Sequence, residues 1–346
     1  MTTVPASASS ALPDTTGHGM LDLHHLQEPA RRTRARVALA VGLGVLAWLG
    51  AVAFLSQYRP SQVGALLGAI APHATLYWAA TAAAVVLAGA LAAARRLESA
   101  AAAAMVAAFL LGHALFALPV VQDRIRMPFP LRTTRDAIDF SIFRIAYLLA
   151  LAAPMMLVLL VGYRLVLRST DAFALGVGNW SVRSSDITQR SPRSTWRAHL
   201  IGFGLFAIVL FVIGQAFTGF AHLRSGVLLS MLPAVLLAAL VNAGVEEVIY
   251  RGLLQPAFVR LAGVAAGIWT AALTFGLMHW GLSVGVVAAL PTSLAIGVGS
   301  VLWGKAALET RGLSWVWISH AMVDVAIMSA FMIGRGSRLT APGAWS

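Results

Sequence analysis

Residues 241–254 read VNAGVEEVIYRGLL, and they set Glu246, Glu247 and Arg251 inside a run otherwise apolar enough to lie in a lipid bilayer. An ionisable group at that depth costs a few kcal/mol even on lenient insertion scales, so carboxylates kept there mark a functional site by default. The chain around them has the same character. It is 59% hydrophobic and only 11% charged, against roughly 25% charged residues in a soluble domain. This is the composition of a polytopic membrane protein. The absence of cysteine excludes disulfides, thiolate metal sites and cysteine nucleophiles together. The net charge of +12 is almost wholly arginine, Lys305 being the only lysine. In a membrane protein such an excess marks cytoplasmic loops and contact with lipid headgroups, and nucleic acid is a poor partner for it.

Counting apolar segments of about 17 to 25 residues predicts spans near 37–57, 72–94, 100–121, 142–166, 199–221, 227–249, 263–280, 284–304 and 315–333. The expected fold is therefore all-α, with eight or nine transmembrane helices and the catalytic core in the C-terminal half. Residues 1–36 read as a disordered basic tail with no signal peptide, 37–168 as an N-terminal region of about four spans, and 169–198 as a polar cytoplasmic linker. The core is expected at 199–333, followed by a tail at 334–346. With nine spans and a cytoplasmic N-terminus, sixteen of the twenty-five basic residues fall inside, as the positive-inside tendency favours. Five of the nine outside lie between Arg124 and Arg144, in a loop that argues against this orientation. The Arg-for-Lys and Ala-for-Ile usage suggests a high-GC bacterial genome, hence the bacterial inner (cytoplasmic) membrane.

Among the acidic residues, only Glu246, Glu247 and Asp324 fall within predicted spans, and His279 and His320 lie at comparable depth in the same half. Glu247 and Arg251 stand at i and i+4 with the acid first, the favourable order for an ion pair. That pairing leaves Glu246 to face a polar cavity. His320 and Asp324 share a face in the same way, as do Phe275 and His279. Taken singly, each element fits helix packing or a transport path. Together they can activate a water by two routes. In one, His279, His320 and one or more carboxylates hold a divalent metal that acidifies bound water. In the other, Glu246 is the general base and His279 positions the water.

EEVIYR at 246–251, FGLMH at 275–279 and HAMVD at 320–324 resemble, in order and rough spacing, the three motifs of the CPBP family, the CAAX prenyl protease and bacteriocin-processing membrane proteases also called Abi proteins. The similarity covers about residues 170–333, including ALGVG at 174–178. It implies an intramembrane endopeptidase acting on membrane-associated peptides or proteins. Glu246 would be the catalytic glutamate that activates water, and Glu247 a supporting acid paired with Arg251. His279 would bind the water or metal, His320 would bind metal or stabilise the oxyanion, and Asp324 takes the fourth position. Many relatives have Asn there, and an ionised Asp cannot donate to an oxyanion. Asp324 therefore fits better as a metal ligand or as an acceptor orienting His320, and the expectation leans to a divalent metal, zinc, held by Glu246, His279, His320 and Asp324.

Other protease classes fit less well. GLSVG at 281–285 matches Gly-x-Ser-x-Gly only superficially, since a nucleophile elbow needs a strand-turn-helix setting. His-Glu-x-x-His is absent, and a two-aspartate mechanism would need a partner for Asp324. The serious rival is a non-catalytic membrane transporter or interaction protein that has kept the fold.

Overall fold

Long apolar runs leave the backbone no partner in lipid other than itself, so the chain closes its hydrogen bonds within helices. The computed structural model describes residues 34–56, 72–116, 133–185, 194–217, 219–224, 226–279 and 286–332. Helices α1 (Arg34–Ser56), α2 (His73–Ala93), α3 (Leu97–Phe116) and α4 (Thr134–Val158, running on as a π-helical stretch Leu159–Val166) form the N-terminal half. They are followed by α5 (Trp196–Phe217) and α6 (Val227–Glu247), then by a π-helical stretch Val248–Leu254 that leads into α7 (Gln255–Ala262). The last three are α8 (Val264–Met278), α9 (Val286–Thr310) and α10 (Ser314–Ile327). No strand occurs among the described residues, beyond one isolated bridge between Arg183 and Thr195. The tail before residue 34, the first part of the Arg124–Arg144 loop through residue 132, the GLSVG stretch and the C-terminal tail lie outside the described residues.

A helix occupies each of the nine expected segments, but they are not nine equal spans. Six of the described helices are long and apolar enough to cross a membrane, and Val264–Met278 is a shorter apolar helix. The protein is thus a multi-pass, all-helical membrane protein; length and hydropathy support six spans among the described residues and do not confirm eight or nine.

Simple alternation of spans sets Glu246 and His279 at different depths. The sequence therefore requires either that the 227–249 helix continue past Gly252 or that the segment after Arg260 turn back, and residues 227–262 show how the two are brought level. The expected span ends at 249, yet α6, the π-helical stretch and α7 run on without a break. Polar residues that read as the end of the span each find a partner inside the protein. Arg251 bonds Glu247, the Gln255 amide donates to the Gly304 carbonyl at 2.9 Å, and Arg260 reaches Glu98 at 3.2 Å and Ser169 at 2.5 Å. The chain then reverses at Gly263, whose φ of +95° is in the left-handed region. Glycine alone adopts that backbone freely. Four residues on, Gly267 lets α8 lie directly against α7, because a Cβ there would fall 2.4 Å from the Val259 backbone. At 1.5 Å per residue, Glu246 lies about 24 Å before Ala262 and His279 about 22 Å after Val264. An antiparallel fold-back of two nearly equal arms brings them level.

The two halves interlock. Trp48 on α1 donates its indole N–H to the Leu277 carbonyl at 3.1 Å, next to His279. Thr133 and Asp136 form a reciprocal capping box that starts α4, and α4 packs along α6. Part of the polar linker straps the α9–α10 turn: the Asn179 N–H donates to Thr310 at 2.8 Å, and the Leu313 N–H to Gly176 at 2.9 Å. Under the strap lies Glu309, buried and bonded by Lys305 (3.0 Å) and the Trp196 indole (2.9 Å). Glu309 is thus a buried acid outside the predicted spans. Helix α9 continues to Thr310, past the point where its hydropathy falls.

Candidate active site

Helix α6 and its π-helical continuation carry four polar side chains in two i, i+4 pairs: Asn242 with Glu246, and Glu247 with Arg251. The π turn begins directly after the glutamates, and such local widenings recur at functional sites. From α10 come His320 and Asp324, and His279 caps the C-terminus of α8. All six residues singled out from the sequence converge on one place.

Two networks share this place. The inner one centres on Glu247, whose Oε1 accepts from Arg251 Nη1 at 2.9 Å and from His320 Nδ1 at 2.7 Å. The side chains of Glu247, Arg251 and His320 are only 1%, 2% and 5% exposed. Aromatic rings close over them. Trp303 on α9 stacks on His320 at 4.4 Å, and the Arg251 guanidinium sits 4.2 Å from the centre of the Phe275 ring. Phe275 also meets His279 edge-on at 4.6 Å, so the aromatic residue of the second motif touches both its own histidine and the arginine of the first.

The outer network centres on Glu246. Its Oε1 accepts from Arg144 Nη2 at 2.8 Å, and more weakly from the Asn242 amide at 3.4 Å. The same amide donates to Asp324 Oδ2 at 2.9 Å. The second oxygen, Glu246 Oε2, is buried and accepts from no side chain. It faces His320 Nε2 at 3.7 Å and His279 Nε2 at 4.0 Å. His279 donates Nδ1–H to the Phe275 carbonyl at 2.9 Å, which leaves its Nε2 as an acceptor while the ring is neutral. His320, with Nδ1–H given to Glu247, likewise presents Nε2. While both rings are neutral, three acceptor atoms thus face one another, an arrangement that is stable only with a hydrogen-bond donor or a cation between them.

Asp324 does not orient His320, as its Oδ1 lies 3.6 Å from Nε2, beyond hydrogen-bond length. Glu247 takes that role from the other side of the ring. Among the described residues no three His, Asp or Glu side chains are grouped so as to hold a metal ion.

Two members of the site have no counterpart in the sequence reading. Asn242 lies one helical turn before Glu246, and its position in the same apolar stretch was a usable signal. Arg144 comes from α4, 102 residues away, and had been counted with the preceding charged loop.

Residues 228–326 match the family model described as type II CAAX prenyl endopeptidase Rce1-like. No curated protein and no solved structure matches the chain. The matched segment contains all three motifs, in agreement with the resemblance to the CAAX protease family, and leaves the N-terminal half, Arg144 included, outside it.

Proposed function

We propose, with membership of this segment in the CAAX prenyl endopeptidase family as the premise, that the protein is an intramembrane endopeptidase hydrolysing membrane-associated peptides or proteins, with Glu246 as its general base. The observation that carries this reading is the buried, unpartnered Oε2 of Glu246 aimed at two imidazole Nε2 atoms. A water bonded to Oε2 and to His279 Nε2 gives up a proton to the carboxylate as its oxygen attacks the scissile carbonyl carbon. The resulting oxyanion is held by His320 in its imidazolium form, with Nε2–H turned to the oxygen and Nδ1–H kept on the Glu247 carboxylate. Glu246 then passes its proton to the departing amide nitrogen, the C–N bond breaks, and a carboxylate and an amine leave. Asn242 and Asp324 keep the rim of the site polar beside Glu246.

Membrane localisation with a cytoplasmic N-terminus in a bacterial inner membrane completes the proposal. The test is cleavage by the purified full chain in lipid nanodiscs of two fluorogenic peptides, one ending in a farnesylated CAAX sequence and one carrying an acyl anchor, with bound metal quantified on the same sample. The expected result is cleavage of at least one peptide, retained after chelation and lowered by about 10²–10⁴-fold in His279→Ala. Stoichiometric zinc lost together with activity would replace the glutamate mechanism by the metal one. Cleavage of neither would favour a transporter or interaction protein.

A further inference from the structure

The only cation that contacts Glu246 in a close ion pair among the described residues is supplied by the half of the chain that the family match does not cover. Arg251, nearer in sequence, places Nη1 on Glu247. Arg144 instead reaches across from α4 to Glu246 Oε1 at 2.8 Å, with side-chain exposures of 13% and 14%. This contact decides which oxygen of Glu246 is free. With Oε1 held by the guanidinium, Oε2 is the one turned to His279 and His320.

Arg144 is itself held in place. Its guanidinium lies 5.3 Å from the centre of the Tyr147 ring, one turn along α4. The Tyr147 hydroxyl pairs with His113 Nε2 on α3 at 2.9 Å, and His113 Nδ1–H donates to the Phe109 carbonyl at 2.9 Å. Because Nδ1 carries the hydrogen, Nε2 accepts and the tyrosine donates, so each ring has one orientation. Phe54 from α1 packs against His113 at 5.2 Å. Three helices of the N-terminal half therefore fix the ring beneath Arg144.

We infer that the N-terminal half completes the active site, with Arg144 acting as a positioning residue that orients Glu246 through Oε1. The inference rests on the proteolytic reading above and extends it to a residue outside the family motifs. A guanidinium that merely neutralised a buried acid would affect how much protein folds, not how fast each folded molecule turns over.

The test uses full-length protein in nanodiscs with the farnesylated and acylated reporter peptides. Arg144→Met is expected to lower kcat by about 10²-fold, the loss that follows when a catalytic group moves by about 1 Å, with KM changed by less than about threefold. Arg144→Lys, which restores the charge without the fork, recovers about a tenth of the lost rate. Tyr147→Phe keeps the ring and loses only the hydroxyl, and lowers kcat by a few-fold. A kcat for folded Arg144→Met equal to the parent's would overturn the inference. So would a rate that falls only in proportion to the folded fraction. A second measurement is independent of cleavage: unfolding midpoints of Arg144→Met, Glu246→Gln and the double variant. The pair predicts that the double variant loses less than the sum of the singles, and strict additivity overturns it. If the parent cleaves neither reporter, the proteolytic reading falls, while the unfolding cycle still decides whether Arg144 and Glu246 act together.

Discussion

Glu246 and Glu247 are neighbours on one helix, each paired with an arginine, and the two pairs are built differently. Glu247 finds Arg251 one turn away on its own helix and has His320 on the same oxygen. Glu246 finds Arg144 on another helix and keeps one oxygen without a side-chain donor. The closed pair spends its charge on holding α6, α8, α9 and α10 in register. The open pair keeps a carboxylate oxygen for chemistry. Ionisable groups in a membrane are costly in either role, and geometry separates framework from reagent where composition cannot.

The sharpest way to break the closed pair is Glu247→Ala. Removing one partner of a buried ion pair strands the other, at a cost of about 3–5 kcal/mol. The variant is expected to unfold at a markedly lower denaturant concentration, with activity lost alongside. A stable, inactive Glu247→Ala would show that this pair, too, is chemical. Next in size is Gly267→Ala, which touches neither glutamate. Its methyl would collide with the Val259 backbone, so α7 and α8 must part at a cost of about 1–3 kcal/mol. Because His279 rides on α8, turnover should fall more than stability does, measured as kcat on the folded fraction. The smallest effect is expected from Trp303→Leu, which removes the stack on His320 and the ring 5.4 Å from Arg251. A loss of about 0.5–2 kcal/mol in unfolding free energy follows, and it should vanish in a Glu247→Gln background if the ring serves only the closed pair.

Much of this contrast was legible in the sequence. The separation of Glu246 from Glu247 by helical phase, the i, i+4 ion pair and the shared face of Phe275 and His279 are local properties of a 3.6-residue period. What the period could not show was any contact between distant helices. Arg144 looked like the end of a charged loop, because nothing near it in sequence neutralises it. Glu309 lies beyond the apolar part of its helix, and its partner Trp196 is 113 residues away. The end of the sixth span was placed too early for a related reason. Arg251, Gln255 and Arg260 look like water-exposed residues until their partners on other elements are known. The depth mismatch between Glu246 and His279 came from that early end, and one continuous run to Ala262 with a turn at Gly263 removes it.

The central claim is that one glutamate reacts while its neighbour holds the frame, and a side-by-side assay of Glu246→Gln and Glu247→Gln in nanodiscs tests it most directly. Glutamine keeps the shape of each side chain and removes the charge. The account predicts that Glu246→Gln loses cleavage of the reporter peptides by about 10²–10⁴-fold, and that Glu247→Gln lowers the unfolding midpoint more than Glu246→Gln does. Parent-level turnover by Glu246→Gln, or a larger loss of stability there than at Glu247, would contradict it.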